Sequence, residues 1–192
     1  MLRRLYDWTV SLAASKNALW ALAVVSFIES SVFPIPPDVL MIPMILAAPK
    51  RAWLIALITT VASVLGALLG YAIGAFLFDS VGQPVLAFYG KEAYFDDFAT
   101  RFETYGAWVV LFAGLTPFPF KVITILSGLT GLSIPVFIVS SIIARAARFF
   151  IVAALLKRFG PPIRDFIERR LGLMFALFLI ALIGGFYLVK FL

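Results

Sequence analysis

Five ionisable residues stand in surroundings that hold few others of their kind: Glu29, Asp38, Lys121, Arg145 and Arg148. Glu29 closes the apolar run that begins at Ala18. A charge at the centre of a bilayer costs about 2.5–3.5 kcal/mol on insertion scales, so a carboxylate is kept there for function or to pair with an arginine. Arg145 and Arg148 are three residues apart, which puts both guanidinium groups on one helix face, where they repel unless an anion lies between them. Their planar forks suit phosphate, so anion binding is one reading. Neutralisation of Glu29 and Asp38 is a second, and snorkelling of Arg148 to the surface is a third. Lys121 offers a compact ammonium that can hold a phosphate or pair with Asp38. Asp38 follows Pro36-Pro37 and suits either a functional role or the N-cap of a helix.

The elements that must position these groups are marked by prolines. Ser30-Ser-Val-Phe-Pro34-Ile-Pro36-Pro37-Asp38 and Leu115-Thr-Pro117-Phe-Pro119-Phe-Lys121 share a P-x-P signature. An offset of 83 positions lays Pro34 on Pro117, Pro36 on Pro119, and the acid Asp38 on the base Lys121. Each proline removes a backbone donor and turns its predecessor away from helical angles, so no single helix runs through either site. The flanking apolar pieces fall short of the ~20 residues that span a bilayer. Re-entrant helical hairpins are therefore expected at about 17–49 and 107–132, with spanning helices at about 52–78 and 133–156. Paired interrupted segments are also the sequence pointer to a midplane transport site, with proline breaks that free half-helix ends for an anion. Counted from Pro135, Arg145 and Arg148 lie roughly 15–20 Å along their segment.

Composition places the chain among integral membrane proteins, with an all-α fold. Of its 192 residues, 63% are apolar and 14% charged, with a mean hydropathy of +1.06. Soluble domains average about 45–50% and about 25%. Cysteine and histidine are both absent. That removes disulfides, thiolates, imidazole metal ligands and serine–histidine mechanisms, so an enzyme is the least supported class and no cofactor or metal site is expected. The first sixteen residues read as an interfacial amphipathic helix rather than a removable signal, because Asp7 and Lys16 interrupt the apolar run. Residues 161–192 read as a basic loop and a C-terminal spanning helix, and 79–105 as an interfacial helix with a loop. Gly66, Gly70 and Gly74 recur every four residues and suit close helix packing; Gly128 suits closure of the second hairpin.

This layout puts Arg3, Arg4, Lys16, Lys50, Arg51, Lys157, Arg158, Arg164, Arg169 and Arg170 on one side. The other side receives Lys91, Arg101 and Lys190. The basic side faces the cytoplasm, which predicts a cytoplasmic amino terminus and hairpins entering from opposite faces, an inverted repeat. The net charge of +6 is then a membrane-orientation signal, with no nucleic-acid partner implied.

Together, Glu29-x4-Pro34-x-Pro36-Pro37-Asp38, the glycine-spaced helix through Gly66, Gly70-Tyr71 and Gly74, Thr116-Pro117-Phe-Pro119-Phe-Lys121, Ser127-Gly128, and Arg145 with Arg148 resemble the DedA family. These are bacterial proteins of the VTT (SNARE-associated Golgi) domain, and the likeness is greatest to the YqaA-like branch. The resemblance implies facing re-entrant loops, an inner-membrane location and a role in envelope lipid homeostasis, with undecaprenyl phosphate or phospholipid moved by some members and proton coupling proposed. Members often carry arginine where this chain has Lys121. The expectation is a headgroup held by Lys121, Arg145 and Arg148 beside Pro117 and Pro119, with Glu29 and Asp38 as proton-coupling or ion-pair partners and Pro34, Pro36, Gly66, Gly70, Gly74 and Gly128 as structural positions. The alternatives are a proton-coupled ion or small-solute carrier and a non-transporting membrane scaffold. Oligomeric state has no signature in the sequence.

Overall fold

The computed structural model describes residues 17–31, 36–90, 92–116 and 118–169. Those residues are all helix and short connections, without strand. Helix α1 is Ala18–Glu29 and α2 is Asp38–Ala47; a 3-10 turn at Pro49–Arg51 leads into α3, Ala52–Leu77. A π-helical turn, Phe78–Gly82, joins α3 to α4, Gln83–Tyr89. Then follow α5 at Glu92–Leu115, α6 at Phe120–Leu129 and α7 at Ile134–Arg169. Two stretches, Pro49–Gly82 and Ile134–Gly160, are long and apolar enough to cross a membrane. The expected N-terminal interfacial helix, Pro34, Pro117 and the C-terminal spanning segment lie outside the described residues.

Helix α3 is the axis of the fold, and its two faces are sorted by size. Ala52, Ala56, Thr59, Ser63, Gly66, Ala67, Gly70 and Gly74 are buried, while Leu54, Leu57, Val61, Leu65 and Leu69 are exposed. Small residues inward and large apolar ones outward is the arrangement that lets helices approach closely where the surroundings are themselves apolar. Buried hydroxyls turn back on their own helix: Thr59 donates to the Ile55 carbonyl and Thr60 to that of Ala56, both at 2.8 Å. The approach is close enough to exclude a methyl group. A Cβ on Gly66 would overlap the Phe27 carbonyl, one on Gly74 that of Ile125, and one on Gly128 that of Tyr71.

The two broken segments lie along α3 from its opposite ends. Ala18 and Leu22 of α1 pack with Ala52, Ile55 and Ala56, whereas Phe27 and Ser30 reach Gly66 and Gly70. After the break, α2 returns past α7, with Leu46 against Gly160, to the 3-10 turn that starts α3. The second segment comes from the Leu77 end: Phe95 stacks on Phe78 at 4.7 Å, and further along α5 Gly114 meets Ala144. Past its break, α6 runs back, placing Thr124 at Gly70 and Leu129 at Gly74. Helix α7 runs antiparallel to α3, with Phe137 at Tyr71, Arg145 at Ser63 and Phe150 at Trp53. One apolar core fills each end, and the breaks meet between them.

Three local features differ from the sequence expectation. The loop expected within 79–105 shrinks to the turn at Gly90 after the short helix α4, because α5 is continuous from Glu92 to Leu115; no proline interrupts it, and Gly106 lies where a Cβ would meet Leu132. The basic loop expected from 161 is helical as far as Arg169, and the helix bends just before it at Phe159, at φ −121°. Pro161 and Pro162 start the resumed helix, where a missing N–H loses no bond. Asp38 is not an N-cap: Pro37 holds that position and Asp38 opens the helix, its carboxylate engaged elsewhere. Helix α6 closes on Gly131 at φ +71°, with Leu132 N–H donating to the Ser127 carbonyl and Gly131 N–H to that of Gly128, a Schellman motif, while Gly128 itself packs on Tyr71 of α3.

Candidate functional site where the two breaks meet

Arg145 is 1% exposed, a charge sealed inside the helices. Its Nη2 donates to Glu29 Oε2 at 2.9 Å and its Nε to Ser63 Oγ at 2.6 Å. Ser63 Oγ lies 2.7 Å from Ser30 Oγ, which donates to the same Glu29 oxygen at 3.1 Å. An arginine has only hydrogens to give, so Ser63 accepts from Arg145 and passes its own hydrogen to Ser30. The guanidinium lies between two aromatic faces, 4.8 Å from the Phe120 ring centre and 4.6 Å from that of Phe149. Cation–π attraction and charge-assisted hydrogen bonds together compensate its removal from water.

Arg148 lies one turn on and joins the two breaks directly. Its Nη2 donates to Asp38 Oδ2 at 2.7 Å and its Nη1 to the Thr116 carbonyl at 2.6 Å. Asp38 opens α2 just past the first break; Thr116 directly follows α5, just before the second. Thr124 Oγ1 donates to the Ser30 carbonyl at 2.9 Å, a further link between the segments.

Lys121 differs from both arginines. It is half-buried on the first turn of α6, and its ammonium makes no hydrogen bond or ion pair with the described residues. Helix α6 starts from Pro119 in an extended conformation, with no side-chain cap and no acidic residue in its first turn. Its amide donors and dipole therefore favour an anion there. With Arg145 paired to Glu29 and Arg148 to Asp38, Lys121 leaves the meeting point with three cations against two carboxylates.

The profile of the VTT domain matches residues 35–158, from the first break almost to the bend at Phe159. The chain belongs to the VTT-domain (DedA) family. Over 168 residues it is 38% identical to an uncharacterized protein of Haemophilus influenzae, covering 85% of this chain and 87% of that one. A second uncharacterized protein, from Histophilus somni, is 37% identical over 168 residues with the same coverage. No solved structure matches the chain. Family membership and the apolar helices together mark a membrane protein.

Within this VTT-domain fold, Glu29, Asp38, Lys121, Arg145 and Arg148 come from four helices to one region. Of the prolines singled out, Pro36 and Pro119 flank the breaks. Gly66 and Gly70 bring α1 and α6 close enough for the Ser30, Ser63 and Thr124 hydroxyls to connect. Sequence reading missed those three hydroxyls and the Phe120–Phe149 clamp. A signal existed for Ser63, which lies one turn before Gly66 on the small-residue face of α3. Among the described residues, no three His, Cys, Asp or Glu side chains gather to hold a metal ion.

Proposed function

We propose that this VTT-domain protein moves anionic lipid, of the undecaprenyl phosphate or phospholipid class, across a bacterial cytoplasmic membrane. In this reading the two broken segments are re-entrant hairpins of an inverted repeat, their tips meeting near the midplane, with the amino terminus in the cytoplasm. The observation that carries it is Lys121: a half-buried cation without a partner among the described residues, on an uncapped helix start, beside two arginines already neutralised. A phosphate headgroup adds the missing negative charge. Competition between that phosphate and Asp38 for Arg148 would part the segments, and protonation of Asp38 or Glu29 would have the same effect, which is the basis of the proton-coupling proposal.

Full internal pairing of both arginines favours a second reading, a non-transporting scaffold in which the charges only hold the fold together. Headgroup flipping in proteoliposomes separates the two. Labelled polyprenyl phosphate is compared with an ordinary phospholipid for the wild type, Lys121→Gln and Arg145→Ala/Arg148→Ala. The transport reading expects selective flipping of polyprenyl phosphate, slowed about tenfold in a fully folded Lys121→Gln, the value of one charge-assisted hydrogen bond. Equal flipping of both lipids makes the protein an unselective scramblase. No flipping by folded wild type overturns transport in favour of the scaffold.

A further inference from the structure

A second feature lies at the opposite extreme of depth, at the end of the molecule where α3 begins and the apolar part of α7 ends. Lys50 and Arg51 form the 3-10 turn leading into α3, and Lys157 and Arg158 lie on the facing turn of α7; all four are exposed. None pairs with a carboxylate among the described residues. Trp53 ties the two pairs together: its ring stacks on Phe150 at 5.9 Å, and the Lys157 ammonium lies 5.1 Å from its centre. The four cations thus form one patch rather than two scattered pairs.

The position of Lys50 and Arg51 is electrostatically unfavourable. The positive end of a helix attracts anions, yet α3 starts on two cations, with no side-chain cap and no acidic residue in its first turn. An external anion relieves both the mutual repulsion and the clash with the dipole. Directly beyond the patch the surface becomes apolar, with Leu54, Leu57 and Leu155 exposed. Trp20 is exposed on α1 at the same end. Exposed tryptophans at the boundary between a basic rim and an apolar flank mark headgroup depth.

We propose that Lys50, Arg51, Lys157 and Arg158, around Trp53, form a peripheral binding site for the headgroup of an anionic phospholipid whose acyl chains lie along α3 and α7. The proposal needs only that the chain sits in a bilayer, not that it transports lipid. A soluble anion lacks the apolar part that the neighbouring leucines would cover.

Native mass spectrometry of the full chain, extracted in detergent and offered equimolar phosphatidylglycerol and phosphatidylcholine, tests it. Phosphatidylglycerol is expected to be retained preferentially. Each cation near an anionic surface contributes about fivefold in affinity, so Lys157→Gln/Arg158→Gln should reduce retention roughly 25-fold, and Lys50→Gln/Arg51→Gln likewise. All four residues are exposed, and circular dichroism confirms that the variants fold. Arg101→Gln, at the far end, should retain the lipid fully, and because the glutamine variants leave Lys121, Arg145 and Arg148 unchanged, their loss of retention reads this site and not the central one. Equal retention of both lipids by the wild type, or undiminished retention in the quadruple glutamine variant, overturns the proposal.

Discussion

The Thr124 hydroxyl donates to the Ser30 carbonyl at 2.9 Å, across 94 positions of chain, where two interrupted helical segments meet. The bond lies in a buried setting and ties the first turn of α6 to the end of α1. Its donor also reaches the Lys121 carbonyl, at 2.9 Å. Thr124→Val keeps the shape and removes the hydrogen. A loss of about 0.6–2 kcal/mol is expected, the value of a buried bond whose acceptor is left unsatisfied, with intramembrane bonds at the lower end. Thermal unfolding in detergent measures it; a melting temperature equal to wild type would mean the segments are not joined here.

The Glu29–Arg145 pair should behave very differently in single and double variants. Glu29→Gln strands a buried guanidinium, and Arg145→Met strands a part-buried carboxylate 12% exposed. Each single change is expected to cost about 3–5 kcal/mol, and the double change markedly less than their sum. A double-mutant cycle on folded yield and melting temperature gives the coupling. Strict additivity would show that the two charges do not depend on each other.

Gly66→Ala and Gly74→Ala should be far more damaging than Gly90→Ala. The first two force a methyl group into a main-chain carbonyl, which no rotamer change relieves, and overpacking of this kind costs about 1–3 kcal/mol or more. Gly90 is strained differently, at φ +60° in open space, so alanine costs about 1–2 kcal/mol from backbone conformation alone. Folded yield by size-exclusion chromatography ranks them. Wild-type behaviour of Gly66→Ala would contradict the close approach of α1 to α3.

Ser141 supplies a change in the opposite direction. Its hydroxyl is buried on α7, one turn before Arg145, with no hydrogen-bond partner among the described residues. Ser141→Ala removes an unsatisfied polar group and should stabilise the protein by about 1 kcal/mol. A fall in melting temperature would show that the hydroxyl has a bonding role.

Much of this arrangement could be read from the chain because prolines and glycines act locally. Pro36, Pro37 and Pro119 interrupt helices whatever surrounds them, and the four-residue spacing of Gly66, Gly70 and Gly74 defines a face before its partner is known. The five buried or half-buried charges were visible because an apolar chain tolerates few. Their pairing was not visible. Glu29 and Arg145 are 116 positions apart, Asp38 and Arg148 110, and only the packing of α1, α2 and α7 decides which acid meets which base. Asp38 was equally suited by sequence to cap its own helix, and the nearby guanidinium claimed it instead. Ser30 was unreadable, and Ser63 legible only as one of a small-residue face, for a related reason: a serine in an apolar helix ordinarily bonds its own backbone, as Ser26 does to the Leu22 carbonyl.

The glycine contacts also determine which parts of the molecule can shift against one another. Gly66 fits against Phe27, Gly70 against Ser30 and Thr124, and Gly74 and Gly128 interlock α3 with α6. Sliding along such a joint would drive carbonyl oxygens into helix backbone, so α1, α3 and α6 form one rigid frame. Helix α2 meets a glycine only through a side chain, Leu46 on Gly160 of α7, and is otherwise held toward α7 by side-chain packing and by the Asp38–Arg148 bond. Among the described helices the α2–α7 seam can therefore part without driving backbone into backbone, and the charged bond that closes it is made by a single guanidinium.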